Sequence, residues 1–299
     1  MRARRLLCLM LAVLGALAGC SSAAPPSPAP ERGAIRFAAY DFSENQILVA
    51  LYAEAARRAG LPVAVESGVA TREVVEPALE QGVVDVVVDY LGTADRFVGQ
   101  GAAGPRTPAQ LHADLTRRLA GRGVSVLTAA PAEDQNGFAV TTAFAAAHRV
   151  GKLSELAPLA PRLAFGGPPE CVDRPLCLPG LEKVYGLRFG EVRSMTSRAA
   201  TVEALTAGEI DVGLLETTDA RLASAPVLLL LDDRSLQPHE NVVPLVRTAV
   251  LERWGDRLRR ALDATSARLT TSALVALNRT VELGGQTPAQ AAAAWWDAA

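Results

Sequence analysis

Short apolar runs alternate along the chain with stretches in which apolar residues return every three or four positions, and Gly, Pro or Asp punctuates most of the changes. Residues 35–39 form the first apolar run and are predicted as a strand. A helix follows over 47–58, with Asp41 or Ser43 as its cap and Gly60 as its stop. Residues 62–66 read as the next strand, and Thr71 opens a helix that stops at Gly82. The run 83–90 is almost continuously apolar, broken only by Asp85 and Asp89. That pattern belongs to a strand buried on both faces of a parallel sheet. Further on, helices are predicted over 108–120, 153–157 and 197–207, and strands over 124–127, 138–142, 163–166, 209–215 and 227–231. Residues 241–246 read as a strand returning to the first unit. The remainder, 251–299, is mostly helical, with Thr270 and Thr287 as caps. Strands alternating with helices imply βαβ units and an α/β fold.

The pattern repeats. Shifted by 126 residues, the chain lies on itself without a gap. Arg36-Phe37-Ala38-Ala39 falls on Arg162-Leu163-Ala164-Phe165, and Gly60-Leu61 falls on Gly186-Leu187. Ala78-Leu79 and Gly82 to Val86 fall on Ala204-Leu205 and Gly208 to Val212. Two similar α/β units imply two lobes with a cleft between them, and clefts between lobes hold small ligands. In such sheets the ligand meets the carboxyl ends of strands and the amino ends of helices. The cleft is therefore expected to gather residues 41–45, Thr71-Arg72, 90–93, Ser197-Arg198 and 216–219, with Tyr90 and Glu216 at equivalent positions facing each other. Asp85 and Asp211, set before the apolar ends of their strands, read as structural.

Residues 1–19 have a signal-peptide pattern: Arg2, Arg4 and Arg5, then a short apolar stretch over 6–17. Leu17-Ala18-Gly19-Cys20 is similar to the lipobox of bacterial lipoproteins, which makes Cys20 the candidate lipidation site, and 20–33, rich in Pro, Ala and Ser, a tether. Without the signal, 27 basic residues face 32 acidic ones, a balance that argues against nucleic acid as a partner. Cys171 and Cys177 stand close together in a Pro-rich loop. Outside the cytoplasm a disulfide is the first reading and two free thiols the alternative; no His or further Cys nearby suggests a metal site. No Gly-x-Ser-x-Gly elbow, phosphate-binding Gly-rich loop or carboxylate pair at glycosidase spacing is present, so nothing asks for catalysis or a cofactor.

The chain resembles the substrate-binding lipoproteins of ABC importers for quaternary amines (glycine betaine, choline, carnitine, proline betaine). The resemblance runs from about 35 to about 283. It is carried by Asp41-Phe42-Ser43-Glu44-Asn45-Gln46-Ile47-Leu48, by Asp89-Tyr90-Leu91-Gly92-Thr93-Ala94 and by Asp134-Gln135-Asn136-Gly137-Phe138-Ala139. Gly166-Gly167-Pro168-Pro169-Glu170-Cys171, Thr217-Thr218-Asp219 and Asn241-Val242-Val243-Pro244 extend it.

The resemblance implies a two-lobed type II periplasmic-binding-protein fold with a hinge and an interlobe ligand cleft. Lobe 1 is expected over 34–131 plus 242–299 and lobe 2 over 132–241. It further implies a monomeric, lipid-anchored, extracytoplasmic receptor that closes on its solute and delivers it to ABC permease subunits. A solute other than a quaternary amine, such as an amino acid or an ergothioneine-like betaine, and a ligand-sensing lipoprotein are the alternatives; an extracytoplasmic enzyme with Glu216 and His239 as acid and base is a remoter one.

Members of the family hold a trimethylammonium head in a cage of aromatic rings, whose negative faces attract a cation that cannot hydrogen-bond. Tyr90 matches a cage tyrosine and Phe138 a second aromatic. Glu216 and His239 depart from the family pattern where aromatics are usual, and Asn45 stands where Gln is common. The candidate ligand-binding set is Ser43, Asn45, Arg72, Tyr90, Thr93, Asn136, Phe138, Arg198, Glu216, Thr217 and His239. Unless Arg72 or Arg198 shields it, Glu216 would attract a net cation such as choline and repel the carboxylate of glycine betaine.

Overall fold

The computed structural model describes residues 33–99 and 106–298. The signal segment, Cys20 and nearly all of the tether lie outside the described residues. The first unit runs β1 (Ile35–Tyr40), α1 (Ser43–Arg58), β2 (Val63–Ala70), α2 (Arg72–Gln81), β3 (Val86–Tyr90), α3 (Leu91–Val98), α4 (Pro108–Ala120) and β4 (Val124–Val126). The second runs β5 (Asn136–Thr141), α5 (Thr142–His148), β6 (Ala164–Gly167), α6 (Leu178–Gly180), β7 (Glu191–Ser194), α7 (Arg198–Ala207), β8 (Val212–Glu216) and β9 (Val227–Leu229). The chain then returns as β10 (Val242–Arg247) and ends in α8 (Thr248–Arg268), α9 (Thr271–Glu282) and α10 (Pro288–Asp297).

Two five-stranded sheets result, ordered β2-β1-β3-β10-β4 and β7-β6-β8-β5-β9. In each, three strands run parallel and the fourth enters antiparallel against the central one: β10 against β3, β5 against β8. The strand completing the first sheet thus arrives only after the second sheet is built. Two stretches, 127–135 and 230–241, therefore cross between the sheets. They run side by side: Ala130 N–H donates to Val242 O, Val242 N–H to Ala132 O and Asp134 N–H to Glu240 O. This antiparallel pairing is the hinge. Among the described residues no helix is long and apolar enough to cross a membrane.

The repeat is real in space, but it is not gapless. From α2 to β8 the 126-residue shift holds: α2 ends at Gly82 and α7 at Gly208, both left-handed (φ 77° and 73°), a backbone that glycine adopts at little cost. At the first strand the offset is two residues larger. Phe37 pairs with Val86 and Phe165 with Val212, so Phe37 corresponds to Phe165, not to Leu163. Between these points the units differ most. The first has the 16-residue α1, whereas the second has short, broken helical turns over 169–185. Pro168, Pro169, Pro175 and Pro179 fall there, and proline inside a helix removes an N–H and clashes with the preceding turn. Cys171 and Cys177 are paired across this loop, their Cα atoms 5.3 Å apart, and both are buried.

Several caps fall as expected: the Ser197, Thr270 and Thr287 hydroxyls accept the N–H of Ala200, Ala273 and Gln290. The first helix is a correction. Phe42, not Ser43 or Asp41, holds its N-cap position, with no side-chain capping bond.

Asp85 and Asp211 share one structural device. Each accepts the backbone N–H of the strand beside it, from Arg36 at 3.0 Å and from Ala164 at 2.8 Å. Asp85 also takes the Arg36 guanidinium (2.9 and 2.8 Å) and Arg247 (3.1 Å). Burial works against its charge, but these donors outweigh burial and hold the carboxyl below the usual aspartate range. Replacing it, as Asp85→Ala, leaves buried donors without an acceptor and is expected to cost about 2 kcal/mol at pH 7, read by urea unfolding. A loss below about 0.5 kcal/mol would contradict this role. The wild-type advantage should vanish as the pH falls through the depressed folded value of Asp85.

Candidate functional site

The carboxyl ends of β1 and β3 in one sheet and of β8 in the other point at the hinge, and most of the chemistry-bearing side chains gather there. Glu44, in the first turn of α1, accepts the Tyr90 hydroxyl at 2.5 Å and an amide N–H of Asn278 at 2.6 Å. Asn278 projects from α9. The same Nδ2 also donates to the carbonyl of Thr218, 2.9 Å away in the loop after β8, so one amide touches both lobes. The Thr218 hydroxyl donates to Asp134 at 2.8 Å, where the first crossing enters the second lobe. The lobes touch again where α9 packs on the turn at 220–223, with Arg221 4.0 Å from Glu282.

Charge is unevenly matched in this cluster. Arg198, at the amino end of α7, grips Glu216 through Nε at 2.7 and 2.6 Å and through Nη2 at 2.5 Å. Arg72, at the amino end of α2, clamps Asp89 with two bonds of 2.8 and 2.6 Å and lies over the Tyr40 ring at 4.8 Å. Arg96 holds Glu240 at 2.8 Å. Neither Glu44 nor Asp134 has a basic partner among the described residues. Burial, and then the charges of Glu44 and Glu216, push the Asp134 carboxyl well above the usual aspartate range, against its bond to Thr218. Burial and then Glu44 likewise raise the Tyr90 phenol. Behind this wall the Tyr40 hydroxyl lies 2.9 Å from both Glu76 and Asp89. Burial, followed by the Asp89 charge, pushes Glu76 up to about 8.

The predicted site residues separate into three groups. Tyr90, Asn136, Arg198 and Glu216 lie at the cluster. Asn136 stands directly opposite Glu216 in the β5–β8 pairing, and the Tyr90 phenol occupies Glu44. Ser43 borders them, its hydroxyl facing the Glu282 carboxyl of α9. Arg72 lies one layer behind, committed to Asp89.

Thr93, Thr217 and His239 are hinge residues. Thr93 gives its N–H and hydroxyl to Glu240 at 2.8 and 2.9 Å. The Thr217 hydroxyl accepts Gln135 N–H at 2.9 Å, and His239 Nδ1 lies 3.2 Å from Glu133. Gly92 is what lets α3 seat here. Its N–H donates to His239 O, and a Cβ would stand 2.8 Å from that oxygen.

Two expectations are corrected. Phe138 is 1% exposed and packs its ring against Phe165 in the core of the second lobe: it shares a face of β5 with Asn136 but lies two residues further into the sheet, opposite Leu214 and beside Val140. Asn45 is fully buried, and both ends of its amide are spent on backbone: Oδ1 accepts Tyr40 N–H and Nδ2 donates to Val88 O. It ties α1 to β1 and β3. An aromatic cage on Tyr90 and Phe138 therefore cannot form. Phe42, 41% exposed at the start of α1 and stacked on Tyr40 with ring centroids 6.0 Å apart, falls in the 41–45 stretch expected at the cleft but is not among the candidate ligand-binding residues. Glu44, in the same stretch, is not among them either, and Asp134 and Asn278 fall outside the stretches expected at the cleft. Asn278 does carry a signal in hindsight: it is a polar residue on the buried face of α9 that also carries Leu274 and Leu277.

The open cavities lie elsewhere. One of about 560 Å³ borders Thr142 and Leu231, one of about 400 Å³ borders Arg36 and Trp254, and one of about 620 Å³ borders Leu91 and His112. The charged cluster is instead bridged by Asn278, and its chemistry rather than its open volume marks it as the candidate site. Among the described residues no three His, Cys, Asp or Glu side chains converge as metal ligands.

Two α/β lobes on a double-stranded hinge, with polar side chains converging where the strands end, define a periplasmic-type solute-binding protein. Residues 33–298 match the family described as the substrate binding domain of the ABC-type glycine betaine transport system, and the chain belongs to that family. It is 27% identical over 272 residues to a glycine-betaine-binding protein of Pseudomonas aeruginosa, covering 87% of this chain and 86% of the relative. It is 25% identical over 239 residues to the glycine betaine-binding protein YehZ of Escherichia coli, covering 76% and 77%. A crystal structure of a glycine betaine/carnitine/choline ABC transporter superposes with a TM-score of 0.80 at 22% identity, over 88% of this chain and 97% of the other. The type II binding-protein fold follows from these matches.

The raised Asp134 carboxyl yields a signed prediction. An acid that binds its proton more tightly folded than unfolded makes stability fall as the pH rises above its unfolded value, about 3.9. The ligand-free protein should lose melting temperature between pH 5 and pH 8 more steeply than Asp134→Asn. Equal slopes in the two proteins would contradict the assignment.

Proposed function

We propose that this protein is the extracytoplasmic receptor of an ABC importer for quaternary amines, closing its lobes on the solute and presenting it to the permease. The observation that carries the reading is the pair of carboxyls, buried Glu44 and half-buried Asp134, that lie without a basic partner among the described residues where the two lobes meet. Removing charge from water is costly unless an opposite charge compensates it, and a cationic headgroup seated between them is that compensation. Tyr90, bonded to Glu44, supplies a ring at the cluster and the exposed Phe42 a second at the start of α1, at roughly 0.5–2 kcal/mol per cation contact.

Glu216, singled out in the sequence as the selector of a net cation, is neutralised by Arg198. The preference for a cation over a zwitterion rests instead on Glu44 and Asp134. The carboxylate of glycine betaine would enter a cluster already rich in acceptors, whereas choline brings no second charge and a hydroxyl that can donate. Lobe closure follows from selective affinity for the closed form, with the paired crossings as the hinge. The lipid anchor at Cys20, the oxidised Cys171–Cys177 pair and a monomeric state complete the proposal. The reading does not invoke catalysis.

A thermal-shift panel on residues 21–299 tests this. Ligand at a hundred times its dissociation constant stabilises by roughly 2.7 kcal/mol, well within reach of the method. Choline is expected to raise the melting temperature more than glycine betaine does at equal concentration. Tight betaine binding with none for choline would overturn the cation preference. A response only to an amino acid or another solute would overturn the quaternary-amine class while leaving a receptor.

A further inference from the structure

Resting on the quaternary-amine reading, we propose that Asn278 is a specificity-determining residue that recognises a hydroxyl group on the bound cation. Asn278 is 3% exposed. Its Nδ2 is engaged twice, by Glu44 Oε2 at 2.6 Å and by the Thr218 carbonyl at 2.9 Å. Its Oδ1 is buried and has no hydrogen-bond partner. The amide cannot simply be turned over, because that would set Oδ1 against a carboxylate and a carbonyl, two groups that only accept. A buried acceptor left unpaired is unfavourable, and native structures rarely keep one without a use.

The neighbouring donors are already committed. The Tyr90 hydroxyl serves Glu44 and the Thr218 hydroxyl serves Asp134. On this proposal the missing donor comes with the solute. A quaternary ammonium has no N–H to offer, so the donor has to be a hydroxyl carried on the rest of the molecule. A carboxylate in that place would present one more acceptor to Oδ1 and one more negative charge to Glu44 and Asp134. A bare alkyl group would leave Oδ1 unpaired. Asn278 thus favours a hydroxylated cation over both.

Calorimetric titration with three probes separates these cases: choline, its O-methyl ether, which keeps the oxygen but loses the donor, and ethyltrimethylammonium, which has neither. The wild-type protein is expected to bind choline about fivefold more tightly than either analogue, the worth of one neutral hydrogen bond. In Asn278→Leu, of similar volume, the three affinities should fall within about twofold of one another. Each ratio is taken within one protein, so a general loosening of the interlobe bridge cancels from it. The wild-type comparison with the ether stands even if the variant does not fold.

Equal binding of choline and its ether by the wild type, or a choline preference retained in Asn278→Leu, would overturn the assignment. Binding of none of the three by the wild type would overturn the cation preference on which the assignment rests.

Discussion

Two carboxyl groups without a counter-charge, Glu44 and Asp134, sit where the lobes meet, and the rest of the architecture can be understood as the means of holding them there. Each is fixed by neutral donors alone: Tyr90 and Asn278 for the first, Thr218 for the second. Neutral donors orient a carboxyl without cancelling its charge, so the cluster keeps a demand for a cation. The arginines nearby do not meet that demand, because Arg198, Arg72 and Arg96 are each matched to a carboxylate of their own. The fold thus separates two kinds of acid, those matched to an arginine and those held by neutral donors alone.

The hinge makes that cluster responsive. Residues on the crossing segments contact both the end of β3 and the start of β5, so the ligand-facing side chains are anchored to the element about which the lobes turn. Thr93 and Gly92 pin the first turn of α3 to Glu240 and His239, while Thr217 pins the end of β8 to Gln135. Asn278 adds a bridge from the C-terminal helices, which belong to neither half of the repeat. Under the proposed reading a cation seated at Glu44 and Asp134 would touch a carboxyl held on each side of that bridge, which links occupancy of the site to closure.

Much of the fold was legible because the two sheets repeat a simple pattern. The apolar runs at 83–90 and 209–215 are central strands, and the glycines that stop α2 and α7 need a left-handed backbone. The offset of two residues at the first strand was hidden. A gapless shift matches Arg36 to Arg162 and Ala38 to Ala164 by residue type, while only hydrogen-bond register reveals that Phe37 and Phe165 correspond. The site was half legible. Tyr90, Asn136, Arg198 and Glu216 follow from the rule that ligands meet strand ends. Phe138 and Asn45 lie within one or two residues of those ends, but core packing deeper in the sheet takes Phe138 and backbone bonding takes Asn45 out of the cluster. Glu44 and Asn278 are 234 residues apart in sequence, and no local pattern pairs them.

The central claim, that a cation completes the Glu44–Asp134 acidic pair, is tested most directly by the proton balance of binding. Titrating choline calorimetrically at pH 7 in buffers of different ionisation enthalpy measures the protons exchanged. A cation beside Asp134 favours its ionised form, so net proton release is predicted. Proton uptake, or none exchanged with choline fully bound, would contradict the account.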